Sequence, residues 1–142
     1  MTATDAWRNA IESLCQKLGW EYSTQETVGY LAITCPLPND ACFSGALFVV
    51  SEAAGRLMLA LGYRKTIAPD NLPAALNTVA ALNFGLLGGC LELNPEDGKI
   101  RYRDSLLLLS AEAPPDMLRA FVATTLRNAL THCADALFES AA

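Results

Sequence analysis

The stretch LNFGLLGGCLELNPEDGKIRYRDSLLLL, from Leu82 to Leu109, is the most informative part of the sequence. Its glycines follow a helical pattern and precede a strand pattern, whereas a phosphate-binding loop places its glycines before a helix. Residues 94–98 (NPEDG) are typical of a tight turn, because Pro95 fixes φ and Gly98 can adopt a positive φ. The stretch therefore predicts a helix end followed by a β-hairpin, without a phosphate site.

Hydrophobic periodicity extends this assignment to the whole chain. A stripe at helical spacing predicts a helix over residues 5–18, with Asp5 as its N-cap and Gly19 as its end. The other predicted elements are helices from Asp70 and from Pro114 to Phe138, and strands at 20–35, 46–50, 56–63, 89–94 and 99–109. The predicted order is α-β-β-β-α-β-β-α. It is typical of an α+β fold with an antiparallel sheet of about five strands, here in a single domain over residues 1–142.

The composition argues against several classes of protein. The chain has 142 residues, which is enough to bury a core without a disulfide or a metal. Its net charge is −5 and its basic residues are scattered, whereas nucleic-acid binding requires a basic surface. No apolar run reaches the roughly 18 residues of a membrane span, and the N-terminus does not resemble a secretion signal. We therefore expect a cytoplasmic protein that binds neither nucleic acid nor membrane.

The five cysteines and the single histidine do not match a known catalytic or metal-binding motif. No two cysteines have the C-x-x-C spacing of a zinc site, so we expect reduced cysteines in the core and no zinc site. A nucleophile at Cys90 would need His132 as its base, because the chain has no other histidine. No catalytic motif surrounds either residue, and the roles of both stay open.

We predict structural roles for several polar residues of the central stretch. Asn83 lies on the apolar stripe of the second helix, and we expect it to bind a backbone group at the helix exit. Glu92 and Asp104 lie on the two strands of the predicted hairpin, where either can pair with Arg101 or Arg103. These assignments leave no carboxylate pair with a predicted catalytic role.

Several strands are apolar on both faces. In β-strand geometry Leu47 and Val49 face one way, while Phe48 and Val50 face the other. Helices can cover one face of the sheet, and the second face then needs another cover, unless helices cover both. The residues that we assign to the second face, as a protein interface, are Phe48, Val50, Met58, Leu107 and Leu109.

The central stretch resembles the hallmark segment of the YbjN-domain family, described as "putative bacterial sensory transduction regulators". The shared features are an Asn-aromatic-Gly helix end at 83–85, a glycine step at 88–89, a strand at 91–93, an acidic turn at 96–98 and the run IRYRDSL at 100–106. The long closing helix is also similar. The resemblance is specific over this stretch and looser over the rest of the chain.

The resemblance implies a fold like that of type III secretion chaperones, in which an antiparallel sheet packs with helices and two chains form a homodimer. It also implies a protein-binding or regulatory role, without enzyme activity and without a cofactor. We therefore expect a non-enzymatic, chaperone-like bacterial module that acts as a homodimer and binds another protein. The alternative is a small-molecule-binding protein or enzyme with a pocket near Gly85–Cys90.

Overall fold

The computed structural model describes residues 2–108 and 112–134. The helices and strands of these residues are α1 (Ala3–Leu18), β1 (Ser23–Thr27), β2 (Tyr30–Pro36), β3 (Phe43–Ser51), β4 (Arg56–Thr66), α2 (Leu72–Phe84), β5 (Cys90–Leu93), β6 (Lys99–Leu107) and α3 (Pro115–Thr131). The strands form one antiparallel sheet in the order β1-β2-β3-β4-β6-β5. The α+β class and the antiparallel sheet are confirmed, and the sheet has one strand more than the sequence predicted.

The additional strand comes from residues 20–35, which the sequence assigned to one strand. The structure divides this region at Val28 and Gly29, where Gly29 adopts a φ of 71°. β1 and β2 therefore pair as a hairpin, with Thr27 opposite Tyr30. β1 is rich in threonine, which favours strands, but it contains no apolar residue. Hydrophobic periodicity therefore could not show where β1 ends.

α1 begins with a capping box, which corrects the prediction that Asp5 is the N-cap. The Thr2 hydroxyl accepts a hydrogen bond from the Asp5 backbone N–H at 3.1 Å, and the Asp5 carboxylate accepts one from the Thr2 N–H at 3.1 Å. The pair satisfies two backbone donors that a helix start leaves unpaired. Gly19 ends the helix as predicted, with a φ of 72°. Trp7 and Ile11 are buried on the inner face of α1.

The helices cover one face of the sheet and bury apolar side chains against it. α2 contributes Ala75 and Val79 to the core, and α3 contributes Leu118 and Val122. In α3 the α-helix ends at Thr131 and one 3₁₀ turn follows over His132–Ala134. The predicted helix end at Phe138 lies outside the described residues. Within those residues, no helix combines the length and hydropathy that a membrane span needs.

The cysteines depart from the expectation that all are reduced. Cys42 and Cys133 form a disulfide whose Cα atoms are 6.3 Å apart, across a sequence separation of 91. Cys15 and Cys35 are buried and unbonded, with their Sγ atoms 3.6 Å apart between α1 and β2. Spacing in the sequence could not reveal the disulfide, because the sheet and α3 together bring its two cysteines into contact.

Candidate functional site

The sheet face opposite the helices carries exposed apolar side chains, and we call it the open sheet face. Its centre lies on three neighbouring strands and consists of Ala32, Leu47, Val49, Met58 and Ala60. Val49 lies directly between Ala32 and Met58 in the strand ladder. Leu47, Val49 and Met58 are only half-buried. Apolar surfaces of this kind are typical of protein interfaces.

The structure corrects two of the residues that the sequence assigned to this face. Phe48 and Val50 are 0% exposed and lie on the helix-covered face. Their ladder partners on β2 are Ile33 and Leu31, which also belong to the core. Because both sets of side chains on β3 are apolar, alternation separates the two sets but does not show which one the helices cover.

Of the other assigned residues, those that the structure describes lie on the predicted face of the sheet. Met58 lies on the open sheet face, opposite Ser105. Leu107 lies on the same face, opposite Arg56, and is 54% exposed. Leu109 lies outside the described residues. The role of these residues in an interface remains a prediction.

Charged side chains border the open sheet face on the β5–β6 side. Glu92 Oε1 accepts from Arg101 Nε at 2.7 Å and from Arg103 Nε at 3.1 Å, which confirms the predicted pairing of Glu92. The three side chains are between 33% and 44% exposed, so each pair stabilises the fold by about 0.2–1 kcal/mol. Asp104 does not join them, because it lies opposite Leu59 on the helix-covered side.

The outer side of α2 is a second exposed apolar surface, which the sequence analysis did not single out. We define the α2 surface as Pro73, Leu76, Asn77, Ala80 and Phe84 at helical spacing, followed by Leu87. Phe84 is 95% exposed, Leu87 is 107% exposed and Leu76 is 42% exposed.

One feature of the sequence indicates the α2 surface, namely the absence of charged residues in and after α2. No charged residue occurs in the sequence between Asp70 and Glu92. A helix that is apolar on all sides is normally buried. Helical spacing alone predicts an inner stripe of Leu72, Leu76, Val79 and Ala80, whereas Leu76 and Ala80 are exposed.

The end of α2 is joined to β5 by a side chain of the helix. Asn83 Nδ2 donates to the Leu91 carbonyl at 2.9 Å, and Asn83 Oδ1 accepts from the Leu91 N–H at 2.8 Å. The Asn83 amide therefore makes the two hydrogen bonds that a neighbouring strand would otherwise make with the outer edge of β5. This confirms the prediction that Asn83 binds backbone at the helix exit.

The glycine step makes room for an aromatic side chain. The Tyr102 hydroxyl donates to the Gly88 carbonyl at 3.0 Å. A Cβ on Gly89, whose φ is 70°, would lie 2.2 Å from the Tyr102 hydroxyl oxygen, so only glycine fits there. Burial, and then the Asp104 carboxylate, raise the pKa of Tyr102 above its ordinary value. The step is thus a packing feature, in agreement with the prediction that it does not bind phosphate.

Cys90 and His132 lie on opposite faces of the sheet. Cys90 pairs with Arg103 in the ladder and is half-buried, as a free thiol, beside the open sheet face. The His132 ring stacks on Tyr102, whose side chain belongs to the core, with ring centroids 5.9 Å apart. A Cys90–His132 nucleophile pair is therefore incompatible with this arrangement. Among the described residues, no three His, Cys, Asp or Glu side chains are grouped to hold a metal.

Two depressions lie on or beside the open sheet face. One of about 360 Å³ is bordered by Cys90, Gly89 and Arg103. Another, of about 750 Å³, lies where β4 and β6 change register after Gly62 and separate around Arg64. The predicted pocket near Gly85–Cys90 therefore corresponds only to the smaller depression, and Gly85 is not part of its lining.

The chain is similar to a known protein family and to a solved structure. The family model described as "Putative bacterial sensory transduction regulator", named YbjN, matches residues 8–138. The structure entitled "Crystal structure of YbjN, a putative transcription regulator from E. coli" is similar with a TM-score of 0.54 and 17% sequence identity. The similarity covers 88% of this chain and 86% of that chain, and at this identity it supports the fold alone. A search of curated proteins found no significant match.

Proposed function

The chain belongs to the YbjN family, and from this premise we propose that it is a non-enzymatic regulatory module that acts as a homodimer and binds another protein. We also propose that it acts in the cytoplasm. The observation that carries the proposal is the exposure of large apolar side chains on both sides of a closed core: Phe84 is 95% exposed on α2, and Leu107 is 54% exposed on the open sheet face, where Val49 is half-buried. Such surfaces are typical of proteins that bind other proteins.

A second copy of the chain is the occupant that fits the α2 surface. Ala80 is the small residue at its centre, with Leu76 one turn before it and Phe84 one turn after it. Two such helices packed antiparallel would place Ala80 against Ala80, and the Leu76 side chain of each helix beside Phe84 of the other. Small residues at the centre let two helices approach closely while the large ones fill the space at each end. The absence of charge on this surface means that a second copy meets no like charge.

The oligomeric state tests this dimer. Sedimentation equilibrium at tens of micromolar should give twice the 15.2 kDa of one chain for the native protein. Phe84→Glu and Ala80→Glu should give a single chain, because each would bury an unpaired charge in the interface. Leu130→Glu is the matched control, because Leu130 is 57% exposed on α3 and lies outside the α2 surface. A native protein that sediments as a monomer would contradict the proposal.

The open sheet face fits a protein segment that combines apolar and acidic side chains. Its border carries Arg56, Arg101 and Arg103, of which Arg101 and Arg103 share the carboxylate of Glu92, although the whole chain has a net charge of −5. An apolar centre beside excess positive charge favours an acidic partner, because opposite charges steer association and fix the register. This binding mode would be chaperone-like, since an extended segment could lie across the uncovered strands.

Synthetic peptides test the chemistry of this surface. A peptide of alternating leucine and glutamate should bind, and its affinity should fall with salt as the arginine contacts are screened. The same peptide with lysine in place of glutamate should bind much more weakly. Val49→Asp should abolish binding without unfolding the chain, because Val49 is half-buried on the open sheet face. Equal binding of the two peptides, or no effect of Val49→Asp, would reject the assignment.

The depression beside Cys90 supports a second candidate function, the binding of a small molecule. Its border contains a free thiol and Arg103, which could hold an anion. Cys90→Ala, with His132→Ala as the variant on the other side of the sheet, tests it in a thermal-shift screen of small organic anions. Stabilisation of the native protein by an anion, lost in Cys90→Ala only, would favour this alternative.

A further inference from the structure

The disulfide between Cys42 and Cys133 ties the end of α3 to the loop before β3. Cys42 is 8% exposed, whereas Cys133 is only half-buried. Disulfides are rare in cytoplasmic proteins, and those that occur are usually transient or redox-sensing. The location that we propose for this protein therefore raises the question of what this bond does.

The segment that carries Cys42 is held in place by hydrogen bonds. Asp40 Oδ1 accepts hydrogen bonds from the Cys42 and Phe43 N–H groups, both at 2.8 Å. The Arg64 guanidinium donates to three backbone carbonyls of the same loop, those of Leu37 at 2.7 Å, Asp40 at 2.9 Å and Phe43 at 2.9 Å. These five hydrogen bonds position Cys42 and the start of β3 through contacts that do not involve Cys133.

Noncovalent contacts also position the end of α3, which carries Cys133. The Tyr63 hydroxyl donates to the Ala129 carbonyl at 2.6 Å, and His132 stacks on Tyr102. These contacts seat the last turn of α3 without a covalent bond, and the core contains residues from every helix. Noncovalent contacts therefore hold the body of α3 on the sheet, and the disulfide adds a covalent link at its C-terminal end.

The buried thiols form a contrasting pair. Cys15 and Cys35 touch, and both are 0% exposed. The hydrogen bond with Cys15, together with burial, raises the pKa of the Cys35 thiol far above its ordinary value, so it stays protonated. A protonated, inaccessible thiol does not exchange with an external disulfide. Because both side chains are 0% exposed, Cys15 and Cys35 serve as an internal control for the pair formed by Cys42 and Cys133.

We propose that Cys42 and Cys133 form a reversible thiol–disulfide switch that fixes or releases the C-terminal end of α3. The inference rests on the cytoplasmic location proposed above. In oxidation, the more exposed Cys133 thiolate attacks one sulfur of a small disulfide such as oxidised glutathione and expels one thiol. The Cys42 thiolate then attacks Cys133 Sγ and expels the second thiol. The protein loses two protons and two electrons, and the external disulfide is reduced to two thiols.

Thiol counting tests reversibility on the whole chain. Cys90 is a partly exposed free thiol that excess oxidised glutathione can itself modify, so the count is made on the Cys90→Ser variant. Denaturation and alkylation of this variant should find two free thiols in excess oxidised glutathione and four in excess reduced glutathione. A count that stays the same in both buffers would overturn the proposal, and it would leave the dimer and peptide results untouched.

Hydrogen exchange tests whether the bond controls the helix end. Reduction should speed amide exchange over residues 125–134 by roughly tenfold or more, because a cross-link over a long loop strongly restricts opening. Cys133→Ser should exchange at the fast rate in both buffers, while α1 and the sheet keep their native rates. Cys42→Ser is the second variant, should Cys133→Ser fold poorly. Identical exchange in the oxidised and reduced native protein would refute the switch.

Discussion

Replacement of Asn83 by alanine should loosen the junction between α2 and β5. The variant removes the two hydrogen bonds between the Asn83 amide and the Leu91 backbone, at 2.9 and 2.8 Å. Each such bond contributes about 1 kcal/mol net, so the free energy of unfolding should fall by about 2 kcal/mol. For a chain of this size that corresponds to a melting temperature lower by about 4–8 °C.

Asn77→Ala is the matched control for this prediction. Asn77 lies on the exposed side of the same helix, and alanine has the same advantage in helix propensity at both positions. Because Asn77 belongs to the α2 surface of the proposed dimer, both variants are measured in the Ala80→Glu background, where the difference between them isolates the contacts with Leu91. Urea denaturation followed by circular dichroism gives both free energies, and hydrogen exchange reports the Leu91 amide directly.

The reasoning would be refuted if Asn83→Ala and Asn77→Ala unfolded with equal free energies, or if the Leu91 amide kept its protection. Asn83→Asp adds a stricter comparison. Its carboxylate can still accept from the Leu91 N–H, but it can no longer donate to the Leu91 carbonyl and would repel it. We therefore expect Asn83→Asp to be at least as destabilising as the alanine variant.

Three further predictions concern the glycine step and the two sheet faces. Gly89→Ala should destabilise the chain by several kcal/mol in urea denaturation, because its Cβ would overlap the Tyr102 hydroxyl and its φ of 70° favours glycine. The unfolding free energy should fall as pH rises above about 10, the ordinary pKa of tyrosine, because the folded chain favours the protonated form of Tyr102, and Tyr102→Phe should flatten this dependence. Phe48→Asp should prevent folding while Val49→Asp leaves the circular dichroism spectrum native, and a reversed outcome would show that the faces of β3 are assigned incorrectly.

The elements of the fold were predictable where local chemistry marks their ends. Gly19 marks the end of α1, and the turn at 94–98 marks the hairpin of β5 and β6, because both depend on residues that adopt unusual φ. The reversal at Val28 and Gly29 was missed, because β1 has no apolar residue to define its face. The capping box at Thr2 was missed because Asp5 satisfies the same preference for an acidic or hydroxyl side chain near a helix start.

The candidate site was predictable only in part, because contacts between distant segments define it. Alternation shows that β3 has two apolar faces, but the helices that cover Phe48 and Val50 come from other parts of the chain. The disulfide has the same origin, since it joins cysteines at a sequence separation of 91. Pairing of Glu92 with Arg101 and Arg103 was predictable, because a tight hairpin fixes which residues lie opposite each other.

In the central stretch, from Leu82 to Leu109, the fold requires some residues and does not require others. Asn83 pairs with the edge of β5, and Gly89 makes room for Tyr102, so both are explained by structure. Phe84 and Leu87 are not, since they are 95% and 107% exposed and do not belong to the core that the described residues form. Leaving a large apolar side chain in water forgoes about 1.5–3 kcal/mol of burial. A chain selected for folding alone would gain nothing from apolar residues at these two positions. Their most direct explanation is a surface that covers them in the functional assembly, which makes the α2 surface a better place to look for function than the thiol of Cys90.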